Sequence, residues 1–155
     1  MNREVMILIG SWVVSLYLLL RYIPAESKRL AWITFLFVQA IAWIHVYIQL
    51  AFGLVEFPYR EFNKATNMSF SLHYIVYPTI AVFFILFYPE EKGKKSKFLY
   101  YLLFSAGAAT YSYLIEKYSR LYHFIHWNWI MGLIINMLLL YIIKKYIFWF
   151  KKGLV

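Results

Sequence analysis

Apolar residues along this chain gather into five long runs, with nearly all of the charge confined to the short breaks between them. The runs extend from Val5 to Leu20, Leu30 to Val55, Phe70 to Tyr88, Phe98 to Ile115 and Trp127 to Ile143. A helix needs roughly 17–25 apolar residues to cross a hydrocarbon core ~30 Å thick. The pattern therefore predicts an all-α protein, one membrane domain of five transmembrane helices over about 5–23, 30–55, 70–88, 98–115 and 127–143, followed by an amphipathic tail over 144–155 lying on the membrane.

Each run carries its own detail. The first could be taken for a signal peptide, but its basic residues lie mostly behind it, at Arg21, Lys28 and Arg29. Ile23 also stands where a small residue would be wanted for cleavage after Ala25, so the run reads as a retained helix. At 1.5 Å per residue the second run measures about 39 Å, enough to tilt or to project beyond the bilayer. Pro78 in the third predicts a kink at or just before Thr79, tolerated because neighbouring groups can satisfy the freed carbonyl. The fourth contains Ser105-Ala106-Gly107-Ala108-Ala109-Thr110, small residues that let helix backbones approach closely, which predicts a central position. The fifth opens on Trp127 and Trp129 and ends at Lys144-Lys145, aromatic and basic anchors for the two interfaces.

Composition removes the soluble alternative. Of 155 residues, 63% are hydrophobic and 15% charged, against roughly 45–50% and 25% in soluble domains. Sixteen Lys and Arg against seven acidic residues give a net charge of +9. Because the basic residues sit in the breaks and not on one polar face, they point to anionic lipid headgroups on the cytoplasmic side and away from nucleic acid. Five of the sixteen lie before the first run and in the breaks at 56–69 and 116–126. The other eleven lie at 21–29, at 89–97 and beyond the fifth run. The richer side is the cytoplasm, so the amino terminus is expected outside and the carboxyl terminus inside a cell membrane. The absence of cysteine removes disulfides, thiol nucleophiles and thiolate ligands.

Candidate chemistry is sparse. His45 is an ionisable group inside an apolar run, with Gln49 four residues on and so on the same helical face. Asn136 and Gln39 are further polar residues within runs, read as intramembrane glue between helices. His73, His123 and His126 fall on the outer side together with Glu56, Glu61 and Glu116. On a helical turn the His123/His126 spacing would aim both rings one way, and with His73 and Glu116 they form a candidate set for Zn²⁺ or, through two imidazoles, haem. The competing reading is four interfacial histidines with polar tips and apolar bodies. The segment from Glu56 to Lys64 mixes aromatics with both charge signs and is expected along the outer interface, as a plug or a pocket rim. Asn67-Met68-Ser69 matches a glycosylation acceptor but abuts the third run. Glu90 to Lys95 is an ordinary solvated charge run. There is no Ser-His-carboxylate order, phosphate-binding glycine loop or His-Glu-x-x-His, hence no enzyme class.

The motifs Pro58-Tyr59-Arg60-Glu61-Phe62, Tyr77-Pro78, Tyr88-Pro89-Glu90, His126-Trp127-Asn128-Trp129 and Trp149-Phe150-Lys151-Lys152 resemble an uncharacterised family of small multi-pass membrane proteins of spore-forming Bacillus and Clostridium relatives. The resemblance covers most of the chain from the second run onward. It implies a bacterial plasma or spore membrane and carries over no activity or site residue. The function expected from the residues is a non-enzymatic bundle that binds a lipid-like ligand or scaffolds a membrane complex, with a membrane-protein partner or a second copy as company. A small transporter or proton-linked channel through His45, Gln49 and Asn136 is the first alternative, and an outer metal or haem protein the second.

Overall fold

A computed structural model describes residues 2–153. Its helices are α1 (Arg3–Tyr22), α2 (Lys28–Ala51), α3 (Tyr77–Leu86), α4 (Lys94–Tyr118) and α5 (Trp129–Lys152), with two two-residue strands, β1 (Val55–Glu56) and β2 (His123–Phe124). Four helical stretches, Arg3–Tyr22, Ala25–Ala51, Lys94–Tyr118 and Trp129–Lys152, are long and apolar enough to cross a membrane. The third apolar helix, Leu72–Leu86, is shorter.

Helix ends follow local chemistry that the apolar runs do not register. The residue before a proline is pushed out of the α region, so Ile23 is extended ahead of Pro24 and α1 stops at Tyr22. A single turn, Ala25–Ser27, then leads into α2. The run expected to continue as helix to Val55 ends at Ala51 instead. Gly53 takes the left-handed conformation at φ 61, Leu54 N–H donates to Gln49 C=O at 2.9 Å, and Gly53 N–H to Leu50 C=O at 3.0 Å. Those paired bonds close the helix in the Schellman arrangement, for which glycine is favoured because it has no Cβ to clash. At the far end, α5 starts at Trp129 and not at Trp127, because the Asn128 side chain accepts the Met131 N–H at 2.9 Å as an N-cap. No break sets off the expected amphipathic tail among the described residues: α5 carries on through Ile147, fully buried, to Lys152. Phe37 stacks on Tyr146 at 3.9 Å, Lys144 lies 4.7 Å above the Tyr88 ring, and Lys151 Nζ reaches Glu90 Oε1 at 3.1 Å. Residues 154 and 155 of the expected tail lie outside the described residues.

The pairing of α4 with α5 and of α2 with α3 is the most extensive, and α2 also touches α5. The small residues of α4 do pack inward, with Ser105, Ala108, Ala109 and Ser112 buried. At Gly132 of α5 an added Cβ would stand 3.6 Å from Ala109 Cβ. Yet the most enclosed helix is α3, not the α4 expected at the centre. It is apolar all round, which leaves no face suited to the outside, and Pro78, Thr79, Ala81, Val82, Phe84 and Ile85 are all buried. Outward faces of the other helices present large apolar side chains, Leu20, Trp32, Leu36, Leu99, Leu103, Ile130 and Ile134 among them.

One end of the bundle is closed by loops. Val55 pairs with Phe124 and Glu56 with His123 in an antiparallel clasp. Tyr59 N–H donates to Arg120 C=O at 2.8 Å, and the N–H groups of Ile125 and His126 to Leu54 C=O at 3.0 Å. Phe57 and Leu121 are fully buried beneath it, so the loops after α2 and α4 form a folded cap with its own apolar core.

Where a kink at or just before Thr79 is expected, the turn ahead of Pro78 is π-helical, over Leu72–Val76. Proline has no N–H, so the carbonyl four residues earlier, at Tyr74, loses its donor. Gln39 of α2 supplies a replacement, Nε2 donating to Tyr74 C=O at 2.8 Å, while Thr79 Oγ1 donates to Ile75 C=O at 2.7 Å. The Gln39 bond lies on an exposed part of the helix pair, where a hydrogen bond contributes about 0.5–1.5 kcal/mol net. Gln39→Leu should therefore lower the unfolding free energy in detergent by about that amount, and much less in a Pro78→Ala background, where residue 78 regains an N–H. Reversible denaturation of the four proteins gives the coupling energy; equal losses in both backgrounds would contradict the account.

Candidate functional site

Between the capped end and the opposite aromatic cluster around Phe84, the four helices α2 to α5 do not close completely. They leave a cavity of about 80 Å³, room for several water molecules by volume. Its apolar lining includes Val38, Ala42, Ala81, Ala108, Leu140 and Ile143. Its polar lining comprises His45 and Gln49 of α2, His73 and Tyr77 on either side of the π turn's end, Ser112 of α4, Tyr122 and Asn128 of the cap and Asn136 of α5. Among the described residues no Asp, Glu, Lys or Arg side chain lines it.

Several of these groups have part of their hydrogen bonding fixed by the fold. His73 is buried, edge-on to Phe57, and its Nδ1 lies 2.9 Å from Ser69 C=O. A carbonyl only accepts, so Nδ1 carries the proton and Nε2 of the neutral ring is an acceptor. Tyr77 Oη and Ser112 Oγ are 2.7 Å apart. Ser112 already donates to Ala108 C=O at 3.1 Å, so the phenol donates to Ser112. Tyr122 Oη donates to Gln49 Oε1 at 3.4 Å, leaving the Gln49 amide N–H groups for the cavity. Burial pushes the Tyr122 phenol well above its ordinary value, reinforced by nearby Tyr77 and only partly offset by the Gln49 bond. His45 is half-buried and packs beside Trp127, ring centroids 6.0 Å apart. Asn136 is half-buried two turns below Asn128 along the same wall.

The cavity thus brings together His45, Gln49 and Asn136, the three polar residues singled out within apolar runs, and adds His73 to them. The expected outer metal set does not assemble. His73 faces the cavity, His123 is exposed and lies 3.5 Å from Glu116 Oε1, and His126 is exposed beside the clasp. The His-x-x-His reading assumed a helical turn, but His123 lies in a strand, where neighbouring side chains alternate in direction. Among the described residues no group of three or more His, Asp or Glu is placed to hold a metal ion. Glu61 has a different role. Its two carboxylate oxygens accept from Ser69 Oγ and from the backbone N–H groups of Phe70 and Ser71, capping the third helical segment. Tyr77, Ser112 and Tyr122 were not foreseen as lining; nothing in their spacing signals that a phenol and a hydroxyl 35 residues apart will meet. Comparison of the chain with protein-family models, with curated proteins and with solved structures finds no match.

Raising the pH should bear on this site through Tyr122. A phenol whose folded value is raised contributes stability below its unfolded value, about 10, that is lost as the pH climbs above it. Tyr122→Phe should cost about 0.5–1.5 kcal/mol near neutrality by removing the Gln49 bond, and should flatten the alkaline fall in stability. Denaturation at neutral and alkaline pH tests both; an unchanged alkaline slope would show that Tyr122 is not the group responsible.

Proposed function

We propose that this chain is a multi-pass membrane protein whose five helices cross the bilayer and whose central cavity binds a small neutral amphiphile. One observation carries the ligand reading: the cavity offers imidazole, amide and phenol groups among apolar side chains, with no Asp, Glu, Lys or Arg among the described residues that line it. Sites for small molecules are mostly apolar with a few placed polar groups, and helix bundles hold them between helices. Gln49 amide N–H groups and the His73 acceptor suit a ligand with a carbonyl or hydroxyl head, and Val38, Ala81 and Leu140 suit its apolar body. The broad apolar outer faces support contact with lipid. The short third helix is compatible with crossing because the other helices surround it, and its first turn is capped by Glu61.

The orientation we propose places the capped, histidine-bearing end outside and both the α1–α2 turn and the end of α5 in the cytoplasm, supported by the eleven basic residues at the latter face. The likeness of the Tyr88-Pro89-Glu90 and His126-Trp127-Asn128-Trp129 motifs to bacterial multi-pass proteins supports a bacterial cell membrane. A proton-linked channel is disfavoured, since relays usually chain several ionisable groups across the bilayer and the lining holds two imidazoles with no carboxylate among the described residues.

Phosphatase fused after Ala65 should be active and after Gly93 inactive; the reverse pattern would overturn the orientation. For the ligand, protein purified from native membranes and extracted with organic solvent should release a stoichiometric small amphiphile. Asn136→Leu and His45→Leu, which keep the helices apolar while removing polar partners, should each reduce retention by about tenfold. Wild-type protein that releases nothing beyond bulk lipid would refute the reading.

A further inference from the structure

A second concavity, of about 740 Å³, lies at the capped end between the last turns of α2 and the loop that follows. Tyr47, Leu50 and Ala51 of α2 line it together with Glu56, Arg60 and Lys64 of the loop. It shares no lining residue with the central cavity.

Arg60 distinguishes this pocket from an ordinary surface groove. Its Nε is buried and has no hydrogen-bond partner among the described residues. Neither Arg60 nor Lys64 forms an ion pair with any described carboxylate, Glu56 included. The adjacent carboxylate, Glu61, is turned away to the helix start, where it holds Ser69, Phe70 and Ser71. A guanidinium does not deprotonate in proteins, so a buried, unpaired N–H on it is a charged donor awaiting an acceptor. Thr66 Oγ1 accepts from Met68 N–H at 3.2 Å, which leaves its hydroxyl proton free to donate, and Asn63 and Asn67 add amide donors. A planar guanidinium backed by an ammonium and neutral donors matches the oxygens of a phosphate. The α2 wall of the pocket is apolar and leads to the exposed face of α2 at Tyr47, Ile48 and Ile44, a surface suited to an acyl chain.

We propose that this pocket binds a phosphate-bearing anion through Arg60 and Lys64, with the apolar wall selecting the phosphate headgroup of a membrane lipid over free phosphate. The lipid's phosphate sits against the guanidinium and its chains run along α2.

Full-length protein in detergent micelles, titrated with phosphatidylglycerol, diacylglycerol or inorganic phosphate and read by native mass spectrometry and thermal melting, tests this. Phosphatidylglycerol should bind as a single equivalent and diacylglycerol should not. Arg60→Gln should weaken the lipid by at least about tenfold, the loss expected for a charge-assisted donor, while Arg29→Gln, at the opposite end of α2 and equal in charge change, leaves it unaltered. Binding of inorganic phosphate with the same Arg60 dependence, but not of lipid, supports the anion site and assigns it to free phosphate. Diacylglycerol binding as well as phosphatidylglycerol, or Arg60→Gln binding within twofold of wild type, overturns the proposal. If Arg60→Gln fails to fold, Lys64→Gln decides: lipid affinity reduced threefold or more supports the site, and unaltered affinity overturns it.

Discussion

Hydrogen bonds from side chains to stranded backbone groups are the constraint on which this fold turns. An apolar bundle offers few donors, so each backbone group that ordinary helix geometry fails to satisfy must find a side chain. Gln39 reaches from α2 to the Tyr74 carbonyl released by Pro78, and Glu61 reaches from the cap to the first N–H groups of the third helical segment. Both bonds converge on the same short, enclosed helix. That convergence holds α3 at the centre, and with it His73 and Tyr77 against the cavity.

The cavity and the cap depend on each other in the same way. Tyr122 belongs to the cap but donates into the bundle at Gln49, and Phe57 stacks on Tyr122 and meets His73 edge-on. The loops are therefore part of the site's wall. A neutral polar chamber between two apolar clusters is an expensive feature to leave unfilled, since the groups that line it are removed from bulk water without full pairing.

The helices were legible in the sequence because a long apolar run has few other physical meanings. Their ends were less so. Gly53 and Asn128 terminate helices by local hydrogen bonding while the hydrophobic run continues past them, so hydropathy placed the boundaries at Val55 and Trp127. The two-residue clasp is too short to leave any alternating pattern, and missing it led His123 and His126 to be read as neighbours on one helical face. Of the candidate site, His45, Gln49 and Asn136 stood out because polar groups inside apolar runs need partners. The residues that complete the chamber did not, because which faces of α3, α4 and the cap meet is set by packing between segments and not by spacing within one.

The clasp also imposes an order on assembly. Val55 and Glu56 leave the ribosome well before His123 and Phe124, and until the later strand arrives their edge is unpaired and Phe57 lacks the Tyr122 ring it stacks upon. The hairpin of α2 and α3 must therefore wait, with its loop open, for that of α4 and α5. A chain that lacks the later hairpin therefore carries an unpaired strand edge and an uncovered aromatic ring at the loop after α2.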